Sequence, residues 1–221
     1  MNLRRIEQVN HISKQFLNKT NTKIGILGCG GVGSVLAELL IRGGFTNLIL
    51  IDYDKIDETN LSRQIFFERD IGKSKSITLK KYLLKINKNV IIKTVNKELN
   101  NKNVSKMLNE VEFIIDATDN FETRFIINQY CVKNSKNWLY TGAIKTECNV
   151  CLFYYEDNLF EKIFKNFIKN EKASEVGILP STTFMCASIA YLEIIKYFSN
   201  IKENHLIKID SWTNNYHIIK I

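Results

Sequence analysis

Six residues constrain this chain more than any others: Gly28-Cys29-Gly30-Gly31-Val32-Gly33. They come directly after a short apolar strand, Lys23-Ile24-Gly25-Ile26-Leu27. They open an apolar helix from Ser34 to about Arg42, which Gly43-Gly44 ends. In that context the glycines have a physical use. They allow a tight turn and close backbone approach. The helix N-terminus then offers free N–H groups and a partial positive charge to an anion such as a phosphate. A tight strand–helix connection that binds nothing would use the same glycines, so the loop alone leaves both readings open.

The flanking pattern fixes the fold class. Leu48-Ile49-Leu50-Ile51-Asp52 is a second strand, apolar up to its terminal Asp52. Periodicity then predicts a helix over 74–87, a strand over 90–95, a short helix over 103–109, a strand over 113–117, a helix over 121–135 and strands over 138–140 and 148–155. A Lys-rich amphipathic segment covers 158–172, and a loop runs around Gly177 and Pro180. An apolar helix spans 182–198, and short strands at 207–209 and 217–219 close the chain. Apolar strands alternating with helices require a sheet covered on both faces. The expected fold is therefore α/β, a doubly wound, Rossmann-like and mostly parallel sheet with helices on both faces. Residues 1–221 read as one domain, with an N-terminal helical arm over 1–21 and a crossover-loop region over 157–180.

Composition narrows the class. The 221 residues are 45% apolar and 24% charged, which excludes a disordered chain, a collagen-like chain and a simple coiled coil. No apolar run reaches the roughly 20 residues that span a bilayer. Met1-Asn2-Leu3-Arg4-Arg5 leads into a polar amphipathic stretch, not an apolar signal core. A cytoplasmic protein with no membrane partner is expected. Its five cysteines are odd in number and scattered, which is no disulfide framework. The net charge of +8 comes from Lys spread along the whole chain, without an Arg-rich tract, so nucleic acid is not the expected partner.

Asp52, at the end of the second strand, stands where a carboxylate accepts hydrogen bonds from ribose hydroxyls in doubly wound folds. With the glycine loop it would suit an NAD-dependent oxidoreductase. A Walker-type loop is absent, which excludes a P-loop NTPase. The residues beyond Asp52 favour a triphosphate instead: Asp54, then Asn60-Leu61-Ser62-Arg63-Gln64, then Gly72-Lys73-Ser74-Lys75. A planar Arg fork and a Lys point charge neutralise phosphate at the bond that breaks. Asp116-Ala117-Thr118-Asp119-Asn120 ends a later strand. Asp119 is the candidate to hold Mg²⁺ on phosphate oxygens, and Asp116 caps or orients the loop. The competing reading is that Asp119 or Asn120 N-caps the helix from Phe121.

On these residues the chain resembles the E1-like adenylating enzymes: the sulfur-carrier activators of thiamine and molybdenum-cofactor synthesis, and the ubiquitin-activating core. The matching pieces are Gly28-x-Gly30-Gly31-x-Gly33, Asp52-x-Asp54, Asn60-Leu61-x-Arg63-Gln64, Gly72-x-x-Lys75, Ala117-Thr118-Asp119-Asn120 with Arg124 after it, and Tyr140-x-Gly142-Ala143. The resemblance runs from about residue 4 to the C-terminus. It implies ATP-dependent adenylation of the C-terminal glycine of a small ubiquitin-like carrier ending in Gly-Gly. Asp52 would bind ribose. Asn60, Arg63 and Lys75 would contact phosphates, and Asp119 would hold Mg²⁺. Asp54, Gln64, Asn120 and the glycines would complete the nucleotide site. It also implies a homodimer in which Arg4, or the adjacent Arg5, reaches the partner's site. Among relatives, the thiamine type is the first expectation because the chain is compact. A relative acting on a carboxylate of a modified tRNA base is the runner-up, and an NAD-binding domain is the alternative of another class.

Two departures qualify the resemblance. Many relatives carry two Cys-x-x-Cys pairs for a structural zinc. Here Cys148-Asn149-Val150-Cys151 has no partner pair and lies in a predicted strand, where residues three apart face opposite ways. ATP and Mg²⁺ are expected, and zinc is not. Some relatives also place a reactive cysteine before a Glu-x-Gly segment. This chain has Lys172-Ala173-Ser174-Glu175-Val176-Gly177, so adenylation without covalent sulfur transfer is expected. Cys186 reads as core. His11, His205 and His217 show no ligand spacing and receive no role.

Overall fold

The computed structural model describes residues 3–9, 14–165 and 176–221, with the side chains of Arg4 and Lys14 outside that description. Within the expected arm and crossover regions, residues 1–2, 10–13 (with His11) and 166–175 lie outside the described residues.

The sheet has eight strands: β1 (Ile24–Leu27), β2 (Asn47–Ile51), β3 (Ile91–Val95), β4 (Phe113–Asp116), β5 (Trp138–Ile144), β6 (Glu147–Phe153), β7 (His205–Asp210) and β8 (Asn215–Lys220). Their order is β3-β2-β1-β4-β5-β6-β7-β8. The first five pair in parallel, and the last three join antiparallel. The helices are α1 (Arg4–Glu7), α2 (Lys14–Asn18), α3 (Gly31–Arg42), α4 (Lys75–Ile86), α5 (Val104–Leu108), α6 (Phe121–Lys133), α7 (Leu159–Phe164) and α8 (Pro180–Phe198).

Strand periodicity divides the core in two. Ile24 and Ile26 of β1, with Leu48 and Leu50 of β2, face a cluster under α3, α4 and α8. Leu27, Ile49, Ile51 and Ile114 face the other way, against α5, α6 and α7. All four residues of β1 and of β4 are buried, as strands covered on both faces must be. Cys148 belongs to the first cluster and Cys151 to the second, so the two thiols do lie on opposite faces of β6.

The differences from expectation have local causes. Helix α3 begins at Gly31, not Ser34, because Gly30 already serves as its N-cap. Strand β5 runs on to Ile144, where Lys145 with φ of 53° turns the hairpin into β6. Pro180 belongs to the first turn of α8 rather than to a loop, and its fixed φ suits that position. Two short 3₁₀ turns, Glu58–Ser62 and Glu68–Asp70, were not expected; they carry the chain from β2 to α4.

Candidate active site

The strand order reverses between β1 and β4, and ligands of open α/β sheets bind at the carboxyl ends of strands at such a point. A crevice of about 550 Å³ opens there. Its floor is drawn tight by the backbone. Gly28 N–H donates to Ile51 O at 2.9 Å, and Ala117 N–H donates to Leu27 O at 2.8 Å. Gly28 has φ of +89°, and a Cβ on it would stand 2.4 Å from Ala117 O. Only glycine fits both demands. A Cβ on Gly33 would fall 1.9 Å from Gly28 O, so Gly33 lets the first turn of α3 settle on the loop and does not line the crevice. Gly31 packs beside Thr183 Cγ2. Gly30 differs: its nearest neighbour would be Gln64 Nε2 at 3.6 Å, so glycine there leaves room above the backbone.

The polar side chains arrive from the ends of β2, β4 and the 3₁₀ turn. Asp52 is buried and accepts N–H bonds from Cys29 at 2.6 Å and Asp54 at 2.7 Å. Burial pushes its carboxyl above the ordinary range, against the pull of those N–H groups and the Lys75 charge. Lys75 Nζ is ion-paired with Asp54 Oδ2 at 2.8 Å. Asn60 is buried, and its Oδ1 accepts Asp57 N–H in a capping box that shapes the 3₁₀ turn. Arg63 Nη1 donates to Thr59 O at 2.9 Å. Gln64 Oε1 is buried with no hydrogen-bond partner among the described residues.

At the end of β4 the cap of α6 falls to Asn120. Asn120 Oδ1 accepts Thr123 N–H at 2.8 Å and is the N-cap of α6. Asp119 is exposed and makes no hydrogen bond or ion pair among the described residues, which leaves both carboxylate oxygens to a ligand. Asp116 orients the loop, accepting from Thr118 N–H at 3.0 Å and Thr118 Oγ1 at 2.6 Å.

The crevice thus gathers Gly28, Gly30, Gly31, Asp52, Asp54, Asn60, Arg63, Gln64, Lys75, Asp119 and Asn120, all named from sequence. Arg4 opens α1, and its side chain lies outside the described residues. Sequence reasoning missed Lys97 and Glu98, which lie just past the carboxyl end of β3 and were open to the same strand-end rule. It also missed Asn149 and Thr183, brought in by an antiparallel strand and a distant helix without any local signal.

The site suits a magnesium-bound triphosphate. Four bases (Arg63, Lys75, Lys97, Arg124) face four carboxylates (Asp52, Asp54, Glu98, Asp119), so the lining is formally balanced and a polyanion needs an added cation. The unpartnered Gln64 Oε1 and the open space over Gly30 both await a ligand group.

Comparison with known proteins gives the family. The ThiF family profile matches residues 4–221. The adenylyltransferase and sulfurtransferase MOCS3 of Xenopus laevis is 27% identical over 213 residues, covering 93% of this chain and 47% of its own length. A molybdopterin-synthase adenylyltransferase of Haemophilus influenzae is 29% identical over 207 residues, covering 90% of this chain and 85% of its own. The crystal structure of E. coli MccB with ATP superposes with a TM-score of 0.77 at 26% identity, over 93% of this chain and 66% of that one. The chain spans about half the length of several curated relatives it matches. A profile match over nearly every residue, on a sheet whose switch point carries the expected side chains, makes this chain a member of the ThiF family.

Proposed function

We propose that this chain is an ATP-dependent adenylyltransferase that activates the C-terminal carboxylate of a small ubiquitin-like sulfur carrier ending in Gly-Gly, of the thiamine or molybdenum-cofactor kind. The observation that carries the reading is the convergence of the glycine loop, Arg63, Lys75 and an uncommitted Asp119 in one crevice at the switch point. Three of the relatives are named molybdopterin-synthase adenylyltransferase or its probable equivalent, which supports it.

The chemistry rests on the charges. A carrier carboxylate oxygen bonds to the α-phosphorus of ATP while the bond to the bridging oxygen of the β-phosphate breaks. Pyrophosphate leaves with the electron pair. Both partners are anions, so the protein's work is positioning and neutralisation. The N–H groups at the start of α3 and the side chains of Asn60, Arg63 and Gln64 hold the phosphates. Lys75 exchanges its bond to Asp54 for phosphate. Asp119 would hold Mg²⁺, which would supply charge neutralisation on phosphate oxygens. Asp52 has a lone pair on each oxygen beyond its backbone bonds, and these accept the ribose hydroxyls. No side chain need act as nucleophile. The enzyme acts as a homodimer in which Arg4 at the head of α1 serves the partner's crevice. The five buried free cysteines accord with a cytoplasmic setting.

The test is ATP–pyrophosphate exchange. Exchange that depends on a Gly-Gly carrier is the expected result, and thiamine-type and molybdopterin-type carriers tried side by side assign the pathway. Exchange driven by tRNA instead overturns the carrier assignment. Thermal stabilisation by NAD but not by Mg-ATP overturns adenylation altogether.

A further inference from the structure

Away from the crevice, the C-terminal end of α8 meets the start of β7 at Glu193, Glu203 and His205. One ligand atom from each lies within 4.8 Å of the others. None of the three lines the crevice. Glu193 is buried, with its side chain 7% exposed; the His205 residue is partly buried, with its side chain 10% exposed, and Glu203 is open at 42%. His205 Nε2 is buried and forms no hydrogen bond, although Glu193 Oε2 stands only 3.4 Å away. A buried imidazole nitrogen beside a carboxylate without a hydrogen bond calls for an explanation.

The spacing supplies one. With Zn–N and Zn–O distances near 2.0–2.2 Å, two ligands of a tetrahedral zinc stand about 3.4 Å apart. That is the separation of His205 Nε2 from Glu193 Oε2. A cation already favours this place, since Lys196 Nζ lies 2.9 Å from both Glu193 Oε1 and Glu203 Oε2. Beside the cluster opens a second cavity of about 510 Å³, lined by Lys196, Glu203 and His205, which provides an entry path and space for a water as fourth ligand.

We propose that Glu193, Glu203 and His205 form a binding site for Zn²⁺, in which the metal displaces the Lys196 ammonium and clamps α8 to β7. Imidazole with carboxylates is a donor set that suits zinc rather than magnesium. The expectation of no zinc rested on a lone Cys-x-x-Cys and on histidines without ligand spacing, His205 among them, and this site departs from it. Its residues come from a helix, a loop and a strand, so no sequence spacing announces it. The same helix carries Thr183, whose hydroxyl donates to Arg63 O at 3.3 Å, so the clamp would steady an element that braces the crevice.

The experiment uses the untagged full chain, stripped with a chelator and titrated with ZnCl₂ by calorimetry and thermal shift. One equivalent is expected to bind with Kd of about 1 µM, and the melting temperature is expected to rise with zinc. His205→Ala is expected to weaken binding at least about tenfold. Its melting temperature without zinc shows whether it folds, and His205→Gln serves if it does not. Lys196→Met is expected to tighten binding, because it removes the competing cation. Co²⁺ substitution is expected to give weak visible bands without thiolate charge transfer. No binding by the wild type, equal affinity in both His205 variants, or a thiolate spectrum from the cysteines would each overturn the site.

Discussion

Arg124 Nε donates to Asp116 Oδ2 at 3.1 Å, and both side chains are buried. The guanidinium also donates through Nη2 to Thr118 O at 2.6 Å and Thr141 O at 3.4 Å. It lies over the rings of Phe121 and Tyr140, at 4.8 and 4.9 Å from their centroids. One side chain therefore ties the loop bearing Asp119 to both β4 and β5. Removing it strands a buried carboxylate. Arg124→Met is expected to lose about 3–5 kcal/mol of stability. Arg124→Lys keeps a charge near Asp116 but loses the planar fork that reaches Thr118 and Thr141. It should fold and need more Mg²⁺ for half-maximal exchange. Urea unfolding and a magnesium titration check the two halves, and an unchanged magnesium requirement would detach Arg124 from the site.

Two glycines of one loop predict opposite outcomes. Gly28→Ala sets a methyl 2.4 Å from Ala117 O at a φ of +89°, so it should unfold the loop or the chain. Gly30→Ala meets nothing nearer than 3.6 Å and should fold within about 1 kcal/mol of wild type. Its methyl takes the space left over the backbone, so the KM for ATP should rise about tenfold or more. A Gly30→Ala variant with wild-type KM would show that the phosphates do not pass there.

The readability of this chain tracked the range of its interactions. Strand and helix identities could be read because β1, β2 and β4 carry unbroken apolar runs, over residues 24–27, 48–51 and 113–115, and the helices between them are periodic. The glycine loop and the strand-end aspartates obey one topological rule, so they too were legible. Sequence could not decide between Asp119 and Asn120 as the cap, since both are good capping residues and only the loop held by Asp116 and Arg124 selects Asn120. The ion pair of Lys75 with Asp54, 21 residues apart, was equally invisible. So was the meeting of Glu193 with His205, which depends on how α8 lies along the sheet.

That selection of Asn120 separates stability from activity at adjacent positions. Asn120→Ala removes the acceptor for Thr123 N–H and should cost about 1 kcal/mol. Asp119→Ala breaks no contact among the described residues and should leave stability within about 0.5 kcal/mol. It should nevertheless abolish pyrophosphate exchange and the thermal shift given by Mg-ATP. Wild-type exchange by Asp119→Ala would refute the metal assignment.

Acid should act on the approach to Lys75. Asp70 is buried; it accepts the Tyr82 hydroxyl, Lys73 Nζ at 3.1 Å and Phe67 N–H at 3.3 Å. Burial alone would raise its carboxyl, but the hydrogen bonds from Tyr82, Lys73 and Phe67 outweigh it and hold the pKa below the ordinary value. A lowered native pKa means that the stabilisation is complete above the unfolded value of about 3.9 and is lost as pH falls through the lower native one. The 3₁₀ turn it closes delivers Gly72 and Lys73, whose N–H bonds to Ile56 O and Asp70 O set the start of α4 and so the place of Lys75. Asp70→Asn should therefore cost about 1–3 kcal/mol at neutral pH, and the gap to wild type should narrow as pH falls toward about 3. Urea midpoints of both proteins across that range test it. A gap that stays constant or widens would mean that the Asp70 charge does not hold the turn.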